Sequence, residues 1–227
     1  MIALSYLSLR TSLPQYPTTI SCLKSTQIPV LAVTSMRAYL LLVMLFGTTS
    51  FAGEGRVTLE VGDTVPDFKA VDDQGRPWDS ADHIGKEVVV IYFYPADLTK
   101  ECTEQACGFQ KRLQEMKSAG VTVVGISGDK SNNHQLFKKL HSLKFPLLSD
   151  VQGKVAHRFG VPTRSGGQIT RIVHGQQKTL SRGVTAQRWT FVVGRDGTII
   201  HNDTKVSAAT DCDSVLKVVR QLTASTQ

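Results

Sequence analysis

The sequence predicts an α/β domain, and three observations carry that expectation. "EVVVIYF" (Glu87–Phe93) is apolar at every position after its first residue, as a strand covered on both faces must be. The segment just beyond it changes to a helical period. Apolar runs of strand length then keep alternating with helical segments almost to the C-terminus. The chain of 227 residues is 41% hydrophobic, enough for one domain with a genuine core.

The elements follow in order. Ahead of the first long strand stands "VGDTVPDFKAVDDQG". After Glu87–Phe93, residues Cys102, Ala106, Phe109, Leu113 and Met116 recur at spacings of four, three, four and three. That is one apolar stripe of a helix, closed by Gly120. Val121–Ser127 is the next strand, and Asn132–Lys144 a helix with Leu136, Phe137, Leu140 and Leu143 facing inward. "FPLLSD" makes a short strand and "GKVAHRFGV" a short helix that Gly160 ends. Pro162–Gln187, rich in Gly, Thr, Gln and basic residues, reads as a loop with one strand near Ile169–Val173. "RWTFVVGRDGTIIH" (Arg188–His201) is a hairpin turning at Arg195-Asp196-Gly197. A last helix from about Asp211 to Leu222 turns Val215, Val219 and Leu222 inward, with Cys212 on the same stripe.

Charge and the leader set the context. Of the formal net charge of +7, three charges (Arg10, Lys24, Arg37) fall in the first 53 residues, which hold no Asp or Glu. No Arg/Lys cluster is interleaved with aromatics, so no nucleic-acid partner is expected. "MRAYLLLVMLFGTTSFA" (Met36–Ala52) has the parts of a secretory signal: Arg37 as n-region, Ala38–Phe46 as h-region, and Ser50-Phe51-Ala52 as cleavage site. Its nine apolar residues are far short of the about 20 that span a bilayer as a helix. The chain therefore divides into an upstream extension at 1–35, a signal peptide at 36–52, and the folded domain at 53–227, exported to a bacterial periplasm. The alternative takes the Ser/Thr-rich, acid-poor leader as a transit sequence for an organelle such as a chloroplast. Beyond the leader stand three cysteines, Cys102, Cys107 and Cys212, and an odd number does not make a purely structural disulfide framework.

The chemistry is concentrated in "IYFYPADLTKECTEQACGF" (Ile91–Phe109), where strand gives way to helix. A cysteine in the first turn of a helix faces unpaired N–H groups and the positive end of the helix dipole, which favour thiolate over thiol. Thr99 can cap that helix or aim its hydroxyl beside the sulfur, and Pro95 ends the strand and stiffens the loop. Because Cys102 also lies on the apolar stripe, its sulfur belongs in a pocket. No His-x-x-x-His or second cysteine pair completes a zinc site. Neither a metal nor a cofactor is expected. Trp189 and Tyr92 read as core or pocket wall, His134, His141 and Lys138-Lys139 as solvated positions, and Cys212 as a buried structural thiol.

These residues resemble the active-site segment of the peroxiredoxins, Pro-x-x-x-Thr-x-x-Cys, at Pro95, Thr99 and Cys102. The second cysteine five residues on, within Ala-Cys-Gly-Phe, is similar to the peroxiredoxin Q, or bacterioferritin comigratory protein, branch. "VGDTVPDFKAVDDQG", similar to the family's entry hairpin, together with "GVTVVGISGDK", "FPLLSDVQGKVAHRFGV" and the Arg-x-Thr-Phe hairpin, extends the resemblance over roughly Val61–Leu222. It implies a thioredoxin-like fold, with a central mixed β-sheet flanked by helices and an N-terminal β-hairpin extension, and a thiol peroxidase acting on hydrogen peroxide and organic hydroperoxides. Cys102 would attack the peroxide, with Thr99, Arg188 and the Cys102 N–H as donors to the oxygens. Cys107 would resolve the sulfenic acid to a disulfide, and a thioredoxin or thioredoxin-like reductant would reopen it. The branch also implies a monomer, or at most a weak dimer.

Two departures stand out: Lys100 and Glu101 replace the family's Pro-Gly, and Gln105 stands where many relatives carry an acid. A disulfide reductase on this fold would use Cys-x-x-Cys, which the five-residue step does not provide. In a continuous helix that step separates the Cα atoms by about 8 Å and the side chains by roughly 140° around the axis. A disulfide needs Cα atoms within about 7 Å, so the helix must unwind for the pair to bond.

Overall fold

The computed structural model of the protein describes residues 58–224. The leader, with the extension and signal read from it, lies outside the described residues. Two short strands, β1 (Lys69–Asp72) and β2 (Pro77–Asp79), form the expected opening hairpin, with Lys69 opposite Asp79. The Asp72 carboxylate fixes its turn by accepting from the backbone N–H of Gln74 and Arg76, both at 2.8 Å. Then come β3 (Val88–Phe93), α1 (Lys100–Ser118), β4 (Val121–Ser127), α2 (Ser131–His141), β5 (Leu147–Ser149) and α3 (Lys154–Arg158). The chain continues through β6 (Thr163–Val173), β7 (Gln176–Ala186), β8 (Trp189–Val193), β9 (Ile199–Asp203) and α4 (Asp211–Ala224).

Seven strands form one sheet in the order β2-β1-β5-β4-β3-β8-β9. β3, β4 and β5 run parallel, while β8 is antiparallel to β3 and β9 to β8. β3 is buried at every position and divides the core by its period of two. Val88, Val90 and Tyr92 enter a cluster with Phe109 and Met116 of α1, Phe137 of α2 and Val215 and Val219 of α4. Val89, Ile91 and Phe93 point the other way, to Phe68, Trp78, Phe159 and Phe191. Both faces of the strand are thus covered, which is why every one of its positions can be apolar.

The structure corrects four readings: the second long helix, Lys138, the segment Pro162–Gln187 and, beside the site, His134. The helix expected over Asn132–Lys144 stops at His141, because Ser142 takes a left-handed conformation at φ 53°. Phe137 is fully buried, whereas Leu136 and Leu140 are half-buried and Leu143 packs inward from beyond the helix. Lys138 is not merely a solvated position, since its Nζ lies 2.6 Å from Asp73 Oδ1.

The third correction is the largest. Pro162–Gln187 is a long antiparallel arm, β6 paired with β7 from Thr163↔Ala186 to Val173↔Gln176. His174 (φ 49°) and Gly175 (φ 76°) make its two-residue turn, both in the left-handed region that matches the twist of a hairpin. The arm lies against the body through two glycines. A Cβ on Gly128 would come within 2.1 Å of the Val184 carbonyl oxygen, and one on Gly183 within 2.0 Å of that of Val151. Only glycine permits that approach.

Candidate active site

The site begins where β3 ends. Tyr94 continues the strand direction, and the loop Pro95–Thr99 turns the chain into α1. Buried polar groups hold this loop. Asp97 accepts at Oδ1 from the Tyr94 hydroxyl and pairs at Oδ2 with His134 Nδ1, both at 2.7 Å. Its backbone N–H donates to Asp129 Oδ2 at 3.0 Å, and Asn133 donates to the other Asp129 oxygen. His134 is therefore fully buried, a correction to the solvated position expected for it. Despite desolvation, which opposes charge, the Asp97 carboxylate and its hydrogen bond raise the His134 imidazole above its ordinary value. Leu98, at φ 56°, adopts a left-handed backbone that an L residue rarely takes, and its carbonyl accepts from Arg171 Nε of the arm at 3.0 Å.

Thr99 is the N-cap residue of α1 by its backbone, yet its hydroxyl donates to the Ala96 carbonyl at 3.1 Å and caps nothing. The first-turn N–H groups of α1 thus have no side-chain cap. Cys102 sits in this turn, 1% exposed. β8 runs antiparallel beside β3, with Trp189 opposite Phe93 and Thr190 opposite Tyr92, which brings Arg188 next to the end of β3. Arg188 Nη2 lies 3.4 Å from Cys102 Sγ, and Nη1 donates to Gln105 Oε1. The guanidinium thus stands where it can donate to the sulfur and to an oxygen bound beside it. Lys100 and Glu101, the departures beside the cysteine, are both exposed. The Glu101 charge is directed to water, which screens it.

The arginine is itself anchored. Gln105 is fully buried and donates through Nε2 to Asp211 Oδ2 at 2.6 Å; Thr190 Oγ1 donates to the same oxygen at 2.9 Å. Burial pushes the Asp211 carboxyl up to about 6, against the two hydrogen bonds that favour its ionised form. Cys102, Arg188, Gln105, Asp211 and Thr190 form one continuous chain of contacts. Asp211 was not among the residues singled out from sequence. Nothing local marks it, because its partner Gln105 is 106 residues away.

Cys107 lies elsewhere on α1. It is half-buried, its Sγ 4.0 Å from His141 Nδ1, and α1 runs unbroken through both cysteines, whose thiols are free. Cys212 is buried, and burial pushes its thiol up to about 12, so it is held as an inert, uncharged group. Among the described residues no cluster of His, Cys, Asp or Glu could hold a metal ion, and no helix is long and apolar enough to cross a membrane.

Residues 61–202 match the AhpC/TSA family. Peroxiredoxin Q, chloroplastic, of Sedum lineare is 50% identical over 108 residues, covering 48% of this chain and 58% of that protein. The protein of the same name from Arabidopsis thaliana is 46% identical over 116 residues, 51% of each chain. The chain thus spans little more than half the length of these curated relatives. Among solved structures, peroxidoxin BcpB from Mycobacterium tuberculosis is 32% identical with a TM-score of 0.60, covering 72% of this chain and 97% of that one. Peroxiredoxin Q from Xanthomonas campestris is 28% identical with a TM-score of 0.57, over 74% and 98%.

Proposed function

The chain belongs to the AhpC/TSA family, and on that premise we propose that it is a thiol-dependent peroxidase, a peroxiredoxin of the Q type, with Cys102 as its peroxidatic cysteine. One observation carries the proposal: the buried Cys102 sulfur faces the Arg188 guanidinium at 3.4 Å, in the first turn of a helix with no side-chain cap.

The thiolate attacks the terminal oxygen of a hydroperoxide. An S–O bond forms, the O–O bond breaks, and water or an alcohol leaves once protonated. Negative charge spreads over the sulfur and both oxygens as this happens. Arg188 and the first-turn N–H groups are the donors for that charge, with Pro95 and Thr99 shaping the loop that carries them. Thr99 reaches the peroxide only if its hydroxyl leaves the Ala96 carbonyl. The product is a Cys102 sulfenic acid, which Cys107 resolves to a disulfide after α1 unwinds, and a thioredoxin-type dithiol restores both thiols.

Alkyl hydroperoxides belong in the substrate class together with hydrogen peroxide. The Xanthomonas campestris bacterioferritin comigratory protein, 28% identical, is described by its alkyl peroxide reduction activity. The plant relatives are named chloroplastic, which favours the organellar reading of the leader over the periplasmic one.

The test is rapid mixing of the reduced protein with hydrogen peroxide and with an alkyl hydroperoxide, against Cys102→Ser. The proposal expects fast loss of peroxide that the serine variant abolishes, because a hydroxyl of high pKa cannot replace a thiolate. Equal consumption by the variant would remove Cys102 from the reaction.

A further inference from the structure

The Cys107–His141 contact is not used by the peroxide-reducing centre. The two cysteines leave α1 on different sides, since five helical residues turn a side chain by roughly 140°. Cys102 faces Arg188, whereas Cys107 faces the last turn of α2. There the His141 ring packs edge-on against Phe137, with centroids 5.3 Å apart at 75°, and Phe137 is fully buried. The imidazole is thus held by a fixed wall with Nδ1 toward the sulfur. Burial lowers His141 below the ordinary histidine value, which keeps the ring neutral at neutral pH and able to take a proton. A separation of 4.0 Å is long for a hydrogen bond, but resting-state catalytic contacts are commonly long and tighten during reaction.

We propose that His141 is the general base of the resolving step, removing the proton from the Cys107 thiol so that its thiolate attacks the Cys102 sulfenic acid. The inference rests on the peroxidase reading above. The Cys107 S–H bond breaks and its proton passes to His141 Nδ1. The sulfur lone pair forms the S–S bond to Cys102 Sγ as the Cys102 S–O bond breaks. The departing hydroxide takes a proton from water as it leaves, and the imidazolium gives its proton up to solvent, so the charges balance and His141 returns to neutral. Cys107 is oxidised, the Cys102 sulfenic acid is reduced, and no other oxidant is needed. Proton removal precedes unwinding, because the contact exists only while α1 is helical at Cys107; the thiolate then travels to Cys102 as the first turns open.

The experiment is a single turnover without reductant: reduced protein and one equivalent of hydrogen peroxide. Peroxide loss, sulfenic acid trapped by a 1,3-dione, and the intramolecular disulfide measured by mass are followed in wild type and His141→Gln. A glutamine can hydrogen-bond but cannot take the proton. The expected result is an undiminished first phase, a disulfide phase slowed by about 10²-fold with sulfenic acid accumulating, and recovery of the second phase on adding imidazole. A wild-type disulfide rate in the variant overturns the proposal. So does a slowed phase that imidazole does not restore, since packing alone would then be the cause. The first phase also separates this failure from failure of the underlying reading: if the wild-type protein consumes no peroxide, the peroxidase assignment falls and this inference with it.

Discussion

Arg188 and Asp211 are the two ends of one short chain of side chains, and each makes a distinct demand on the protein. Replacing Arg188 by Ala removes the cation beside the Cys102 sulfur and a donor to the reacting oxygens. The expected loss in peroxide rate is about 10²-fold or more, comparable to the loss of one oxyanion donor. An unchanged rate in rapid-mixing experiments would count against its role. Asp211 receives both its hydrogen bonds, from Gln105 and Thr190, on the single oxygen Oδ2. In an Asp211→Asn variant the side-chain amide oxygen could accept both, so what the aspartate adds is charge.

That charge has a stability cost with a definite sign. A carboxyl raised from 3.8 to about 6 on folding contributes stability below its unfolded value and loses it as pH rises through about 6. The loss at neutral pH is on the order of 3 kcal/mol, by the usual conversion of pKa shift to free energy. Denaturant unfolding from pH 4 to 7 should show wild type losing stability that Asp211→Asn retains. The same variant should react several-fold more slowly with peroxide, because Gln105 is then anchored by a neutral amide instead of a carboxylate. If it loses stability at neutral pH instead, the assignment of cost to the buried charge is wrong. Pro95, Thr99, Cys102 and Arg188 were readable because a short motif and a strand signature mark them. Asp211 and the buried His134–Asp97 pair were not, because each is defined by a partner distant in sequence.

Among the elements, α1 carries the conformational part of the account. It was fully legible: Cys102, Ala106, Phe109, Leu113 and Met116 are all buried, as their spacing required. Gly108 sits inside it, where helix propensity disfavours glycine by about 1 kcal/mol relative to alanine. A Cβ there would lie 3.4 Å from Cys212 Cβ, an ordinary contact, so Gly108→Ala should be accommodated. The variant should stiffen the helix and slow disulfide formation by roughly fivefold, leaving peroxide consumption unchanged. Hydrogen exchange across residues 99–109 should quicken when the wild-type protein is oxidised and quicken less in the variant. Equal protection in both redox states would mean that the disulfide forms without unwinding. Of the β6–β7 arm, the sequence revealed only the strand near Ile169–Val173, the end of β6. Its strands are largely exposed, with Val173, Leu180 and Ala186 the apolar residues buried along them, so no alternating apolar pattern announced them. The His174-Gly175 turn was the signal available.

At the scale of the molecule, the central sheet places four distant segments at one point: the end of β3, the start of α1, the residue before β8 and the start of α4. Outside the β6–β7 arm, the order of strands and helices was legible because each apolar run had one period and one length. The site was legible only in part, since the sheet order that sets Arg188 beside Cys102 is a long-range property. The arm adds a contact to this centre by holding the Leu98 carbonyl through Arg171. The central claim is that Cys102 is oxidised and Cys107 resolves it within one chain. The most direct measurement is mass mapping of the tryptic peptide Glu101–Lys111, which holds both cysteines, after one equivalent of peroxide under non-reducing conditions. The account predicts a peptide lighter by two hydrogens, with Cys212 still a free thiol. An unchanged peptide, or one cross-linked to the segment carrying Cys212, would contradict it.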